Sequence, residues 1–442
     1  MRSPIPDYLL EVVEACGSDN PGATAGYIPD LAHADPDRIA VCVSTVDGIV
    51  YSAGDADSPF SIQSISKPFV YALALTELGL DAVLDRVGVE PSGEAFNELS
   101  LDRESGRPLN PMINAGALTT HALVGPATAT PDERFERIRS GLSAFAGRDL
   151  GVDEAVYESE WGTAYRNSAI ANMLRSYAVF DGDPADVVRG YTRQCSITVT
   201  ARDLALMAAT LANGGVQPST GRRVASRQVV RQVLSVMMSC GMYDAAGDWM
   251  STVGFPAKSG VSGGVLGALP GQFGIATFSP RLDAHGSSVR GVRMCTRLSA
   301  DMGMHIMDAP EPARSAIRRD RVLRGPRGNT VRVCSLQGTL QFSGAEHVLR
   351  ALSDSDGPYT APAGDRPRGR IDSVILDLRR VHSVDDVAER MLREAVRRLR
   401  LDGLRVTVVD PEHVLYPHHR AGDGASDAVV PSLAPLDGYR RL

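Results

Sequence analysis

The sequence predicts an α+β protein: an antiparallel sheet beside a cluster of helices, followed by a small α/β domain. Three observations predict it. Strand-like runs open and close the first ~310 residues, with a long helical middle between them. A Pro- and Arg-rich stretch at 311–329 coincides with a change of charge, from a balance of −12 over residues 1–313 (24 basic, 36 acidic) to +5 over residues 314–442 (22 basic, 17 acidic). Beyond residue 330, strands and helices alternate over ~90 residues.

The elements follow in order. Residues 1–20 have the spacing of an amphipathic helix, with Leu9, Leu10 and Val13 on one face. Ile39–Val46, an Asp47-Gly48 turn and Ile49–Tyr51 form a strand, a tight turn and a returning strand. From Ser64 to about Leu80 the apolar residues recur at helical spacing, and Gly79 ends the run. Pro68 is tolerated only in a first turn, so this helix must begin close to Ser64. Residues 165–180, 201–213 and 231–242 are further helices, the second stopped by Asn213-Gly214-Gly215. Residues 251–280 break into short strands punctuated by glycine. Residues 311–329 are expected as a linker. The second domain, 330–415, runs strand (330–336), second strand, helix (344–352), Pro/Gly-rich loop (355–370), strand (373–378), helix (387–401) and strand (404–409). Residues 416–442 are polar and are expected to be a disordered tail.

Composition narrows the function. A net charge of −7 gives no case for nucleic acid. No apolar stretch reaches ~18 residues and no secretory leader is visible, so no membrane association is expected and the location is expected to be cytoplasmic. The six cysteines form no CxxC pair and suit a reducing compartment as packed thiols, Cys195 among them. Neither cysteines nor histidines have metal-ligand spacing, so neither metal nor cofactor is expected.

Lysine is the informative residue. It occurs twice, at Lys67 and Lys258, against 44 arginines. Arginine substitutes for lysine wherever charge alone is needed, but a guanidinium does not deprotonate and a desolvated amine can. Both lysines neighbour serines, in Ser64-Ile65-Ser66-Lys67 and Lys258-Ser259-Gly260. Ser64 and Lys67, three apart at a helix start, share one face. A neutral Lys67 amine can take the Ser64 proton, and helix-start N–H groups can receive an oxyanion. The second motif resembles the strand that faces Ser-x-x-Lys in serine β-lactamases and penicillin-binding proteins, where a second cation holds a substrate carboxylate or tunes the first lysine.

Residues 8–308 resemble the serine-dependent glutaminases through many ordered blocks. They include Tyr27–Ala32, Gln63–Pro68, Asn110–Ala117, Ser159-Glu160, Arg166-Asn167, Gln194–Thr200, Met242–Asp244 and Pro256–Val261. The resemblance implies a β-lactamase-like fold that hydrolyses L-glutamine to L-glutamate and ammonia through a Ser64 ester. It implies Lys67 as base, Tyr27 and Tyr243 as proton relays, and the N–H groups of Ser64 and Val261 as the oxyanion hole. Asn114, Glu160, Asn167 and Tyr191 would bind the α-amino and α-carboxylate groups, with Gln63 and Lys258 in support. Residue chemistry agrees: an ammonium calls for Glu160, and a carboxylate for neutral donors. Glu160 could alternatively pair with Arg166. A homodimer or homotetramer is implied as well. A penicillin-recognising serine hydrolase and a non-catalytic amino-acid sensor are the alternatives.

Residues 330–415 resemble the STAS domain of anti-sigma-factor antagonists and sulfate transporters, mainly through 374–387. Asp385 matches an aspartate of that family. Asp386 stands where relatives carry a phosphorylatable serine, so phosphoregulation is not expected, and Asp386 at a helix start is equally suited to plain capping. The domain would bind a protein partner.

Overall fold

The computed structural model describes residues 3–95, 97–308, 316–325, 328–353, 371–416, 429–430, 432 and 440–441. The chain divides into two compact units, Met1–Asp308 and Ala309–Leu442.

In chain order the first unit contains α1 (Ile5–Gly17), α2 (Pro29–Ala32), β1 (Ala40–Thr45), β2 (Val50–Gly54), β3 (Phe60–Ser61), α3 (Lys67–Leu78), α4 (Leu80–Leu84) and α5 (Asn114–Leu123). It continues with α6 (Pro131–Ala146), α7 (Glu154–Trp161), α8 (Tyr165–Ser176), α9 (Pro184–Cys195), β4 (Thr198–Val199), α10 (Ala201–Ala212) and α11 (Arg227–Cys240). It closes with α12 (Ala246–Thr252), β5 (Ala257–Ser259), β6 (Gly264–Leu269), β7 (Phe273–Phe278) and α13 (Val289–Met302). Five strands form an antiparallel sheet in the order β2-β1-β7-β6-β5.

Both faces of this sheet are covered, and strand alternation explains how. Ala40 and Cys42 of β1, with Ala276 and Phe278 of β7, point into the larger core shared with α3, α5, α6 and α10. Val41, Val43 and Ile275 point the other way, into a second core with α1, α12 and α13. Covered on both sides, β1 and β6 read as nearly continuous apolar runs. Helix α10 crosses the sheet so closely that a side chain at Gly274 would collide with the backbone of Ala205 and Ala209. Helix α1 turns Leu9, Val12, Val13 and Cys16 inward, while Leu10 is 49% exposed. The expected Leu9–Leu10–Val13 face is therefore corrected: Val12, three residues from Leu9, occupies the place given to Leu10.

The second unit contains β8 (Ile317–Arg324), β9 (Thr330–Leu336), β10 (Gly338–Leu340), α14 (Phe342–Ser353), β11 (Ser373–Asp377), β12 (Val381–Val384), α15 (Asp386–Leu401), β13 (Arg405–Val409), β14 (Val429–Val430) and β15 (Arg440–Arg441). Its main sheet has the order β14-β13-β11-β9-β8-β15, with β9, β11, β13 and β14 parallel and β8 antiparallel to both neighbours. The linker expected at 311–329 is corrected: residues 317–324 are the strand β8. Its repeated arginines obscured it, since Arg318, Arg319 and Arg324 are exposed while Leu323 is buried. Residues 311–315 and 326–327 of that stretch and the loop 355–370 lie outside the described residues. So do 417–428, 431, 433–439 and 442 of the expected tail, whereas Val429–Val430 and Arg440–Arg441 add strands to the sheet.

Candidate active site

Ser64 lies in a 3-10 turn, Gln63–Ser66, that runs directly into α3, with Pro68 in the first turn of that helix. Gln63 has φ 50°, and Tyr243, in the second 3-10 turn at Tyr243–Ala245, has φ 56°. Non-glycine residues hold this left-handed conformation only where their surroundings impose it. The side chain of Gln63 is tied down by bonds from Nε2 to Glu160 Oε2 at 2.9 Å and to Ser61 Oγ at 3.4 Å.

Lys67 is 0% exposed. Its Nζ contacts Asn114 Oδ1 at 2.7 Å, the Met112 carbonyl at 3.0 Å and Tyr243 Oη at 3.2 Å. Ser64 stands close enough to Tyr243 to lower the pKa of its phenol. Among the described residues no hydrogen bond joins Ser64 directly to Lys67, because the amine is turned inward to the start of α5 and to Tyr243. Burial pushes the Lys67 amine down to about 7, partly opposed by Cys195 and Glu160. Burial pushes the Tyr243 phenol well up, and Ser64 offsets part of that rise.

Lys258, on β5, is fully buried as well. Its Nζ donates to the Ser259 carbonyl at 2.7 Å and sits 3.9 Å from the centre of the Tyr243 ring. Burial, and then Lys67, depress its amine well below the ordinary range. It cannot hold a substrate carboxylate, as one expectation had it, because it is shut in beneath Tyr243. Tuning of Lys67 and Tyr243 is the role left to it.

Of the residues expected to bind substrate, Glu160 and Asn167 are partly covered, whereas Asn114 and Tyr191 are buried. Asn114 begins α5 and donates from Nδ2 to Asn167 Oδ1 on α8 at 2.9 Å. Among the described residues the Asn167 amide nitrogen has no partner, which leaves its two N–H groups for a ligand. Glu160, at the end of α7, is partly covered, and burial raises its carboxyl to about 7 against the lowering influence of Gln63 and Lys67. Arg166 is spent on Glu98 at 2.9 Å, so it does not neutralise Glu160. Tyr191 and Cys195 lie one turn apart on α9, and burial raises both groups. Cys195 is a buried free thiol. Tyr27 is 55% exposed, close enough to feel Glu160 and to perturb Tyr243, and makes no side-chain hydrogen bond among the described residues. Val261 lies between β5 and β6, and the backbone N–H groups of Val261 and Ser64 have no acceptor among the described residues.

Sequence reasoning missed Met112, Ser66, Gln194 and His121. Ser66 Oγ donates to the Gln63 carbonyl at 2.8 Å and accepts from Gln194 Nε2 at 2.8 Å, and His121 meets Gln194 at 2.9 Å. All but His121 lie inside the blocks already singled out, but their roles depend on backbone carbonyls and on helix neighbours distant in sequence. Among the described residues, no group of three His, Cys, Asp or Glu side chains could hold a metal ion, and no helix is long and apolar enough to cross a membrane.

Comparison with known proteins shows the family. A glutaminase from Corynebacterium efficiens is 48% identical over 430 residues, covering 97% of this chain and 97% of that protein. One from Trichormus variabilis is 47% identical, covering 69% of this chain and 91% of that protein. A solved structure of Mglu in its tris and glutamate form matches with a TM-score of 0.85 and 47% identity, covering 94% of this chain and 100% of that one. A probable glutaminase matches with a TM-score of 0.66 and 40% identity, covering 69% of this chain and 99% of that one. The glutaminase family model matches residues 22–307, and the chain belongs to the glutaminase family.

Proposed function

We propose that this chain hydrolyses L-glutamine to L-glutamate and ammonia through a glutamyl ester on Ser64, with Tyr243 carrying the proton between Ser64 and Lys67. One observation carries the relay. A neutral amine has two N–H donors and one lone pair. Two of the three Lys67 contacts, the Met112 carbonyl and Asn114 Oδ1, can only accept. The lone pair therefore faces Tyr243, whose O–H can donate to it while the phenol oxygen can accept from Ser64.

Substrate binds with its α-ammonium on the Glu160 carboxylate and its α-carboxylate on the N–H groups of Asn167, with Asn114 and Tyr191 beside them. Ser64 Oγ attacks the side-chain amide carbon as its proton moves to Tyr243 and the phenol proton moves to Lys67. The new C–O bond drives the carbonyl π-electrons onto oxygen, where the N–H groups of Ser64 and Val261 receive the charge. Collapse breaks the C–N bond, and the proton held by Lys67 returns through Tyr243 to the leaving nitrogen, releasing ammonia. Water then attacks the ester with the same relay as base, and Ser64 recovers its proton as glutamate leaves. Tyr27 shields the mouth, and Gln63 orients Glu160.

Catalysis is assigned to residues 1–310, with a β-lactamase-like fold. The relatives that cover only about two thirds of this chain support that assignment. The second unit, a mixed sheet with four parallel strands and the helices α14 and α15, is assigned an STAS-like role in binding a protein partner. Asp385 caps α15 through Ala388 N at 2.7 Å, and Asp386 adds negative charge in its first turn. Assembly is assigned as a homodimer or homotetramer, and the location as cytoplasmic.

The test is ammonia release from glutamine and asparagine, with intact-mass detection of the glutamyl ester after rapid acid quench. Wild type should turn over glutamine and show the adduct on Ser64; Ser64→Ala should show neither. Turnover by Ser64→Ala, or an adduct on another residue, sinks the mechanism.

A further inference from the structure

A trans peptide unit is a rigid plane whose C=O and N–H point in opposite directions. The Gln63–Ser64 peptide is trans. Whatever restrains the Gln63 carbonyl therefore also aims the Ser64 N–H. Ser66 Oγ donates to that carbonyl oxygen at 2.8 Å. Ser66 is fully buried, as is Gln194, and Ser66 Oγ accepts from Gln194 Nε2 at 2.8 Å.

Donor and acceptor roles are fixed along this chain. Because Ser66 gives its proton to a carbonyl, it must accept from the Gln194 amide nitrogen. Gln194 Oε1 is then the acceptor that faces His121 Nδ1 at 2.9 Å, and His121 carries its proton there. The His121 ring packs directly over Gly190, where a side chain would collide with it. Burial keeps the imidazole neutral, its pKa pushed down to about 4. Three elements are thereby joined to one peptide plane: α5 through His121, α9 through Gln194 and the Ser64 turn through Ser66. None of the three side chains is hydrogen-bonded to Ser64, Lys67 or Tyr243.

We infer that Ser66, anchored from behind by Gln194 and His121, is a positioning residue that aims the Ser64 N–H into the oxyanion hole. The inference rests on the oxyanion role given to that N–H above. Oxyanion donors bond to charge that exists only in the transition state, so a loosened plane costs turnover and leaves substrate affinity alone. General collapse of the turn would act differently. It would release Gln63 from Glu160, which holds the α-ammonium, and KM would rise.

The experiment measures kcat and KM for glutamine in Ser66→Ala, Gln194→Met and the double variant, with thermal melting to establish folding. A second readout is the rate at which a fluorophosphonate labels Ser64, followed by intact mass, because its phosphoryl oxygen uses the same hole and needs no glutamine recognition. Ser66→Ala is expected to lower kcat and the labelling rate roughly tenfold or more, with KM within about twofold. The double variant should lose no more than Ser66→Ala alone, since both act through one oxygen. Where Gln194→Met does not fold, Ser66→Ala and Ser66→Cys carry the test, the cysteine retaining a weak donor and an intermediate rate. A folded Ser66→Ala with kcat and labelling within twofold of wild type overturns the inference, as do a rise in KM at constant kcat and losses that multiply. A wild-type chain that is labelled at Ser64 but releases no ammonia would instead sink the glutamine assignment, with the labelling rates still reading the hole.

Discussion

The two sides of the active site differ in how much water they admit. On one side, Ser64, Tyr243, Lys67 and Lys258 are buried, and both amines are depressed by desolvation. On the other, Glu160 and Asn167 are only partly covered and Tyr27 is 55% exposed. Proton transfer from a serine needs a neutral amine, and a dry wall supplies one at about pH 7 where solvent would hold it near 10.5. Recognition of a zwitterion needs accessible partners, and Glu160 and Asn167 remain open to one. The division explains why lysine survives here in a chain otherwise written with arginine: the buried side demands a base that can discharge.

Disabling the dry side should have the largest effect. Ser64→Ala should lower kcat by about 10⁴-fold or more. Lys67→Arg keeps a cation but no lone pair, and should lose on the order of 10³-fold or more in kcat. Ammonia-release kinetics check both, and near wild-type turnover in Lys67→Arg would end the relay argument. Tyr243→Phe removes the atom between Ser64 and Lys67 while keeping the ring over Lys258. A loss in kcat of roughly 10²–10³-fold with KM little changed is expected.

The open side should respond in KM. Glu160→Gln removes the partner of the α-ammonium, so KM for glutamine should rise by about 10²-fold while kcat falls far less. A fall in kcat alone would move Glu160 from recognition to chemistry.

Titration couples the two sides. Productive binding needs Lys67 neutral and Glu160 ionised, and both groups lie at about 7. Lowering the pH protonates both, so kcat/KM should fall by about tenfold or more per unit below pH 6, and Glu160→Gln should have the shallower slope. Folding stability has its own signature. The Lys67 amine falls from 10.5 to about 7 on folding. The unfolded chain therefore binds more protons across that window, and stability should rise with pH through it. Urea melts of wild type and Lys67→Met between pH 7 and pH 10 check this: the rise should be smaller in the variant, the remainder coming from Lys258, whose amine is depressed by burial as well.

Much of the dry side was legible because its chemistry is carried by residue type. Two lysines beside serines pointed to a serine nucleophile with a lysine base, and Pro68 with Gly79 bracketed α3. The relay was not legible, because it depends on the left-handed turn at Tyr243 and on the start of α5 meeting Lys67. Helix α6 carried a readable capping box, Thr130 with Glu133, that went unread. Helix α5, buried all round from Asn114 to His121, gave little periodicity to detect. Strand β8 was obscured for the opposite reason, since its outward arginines resemble a solvated linker.

The smallest effect is expected from removing the second unit. Relatives covering only 69% of this chain carry the glutaminase description, so the second unit should contribute little to the chemical step. The cut belongs after Asp308, where the first unit ends, because a cut near residue 327 would leave β8 without its partner β9. The truncated chain should keep kcat within about threefold and KM for glutamine within about threefold of full length. Its response to pH should be unchanged, since none of the groups that set it lies beyond residue 308. A folded truncated chain with kcat down by tenfold or more would mean that the second unit helps hold the dry side together, and that the division of labour within residues 1–308 is incomplete.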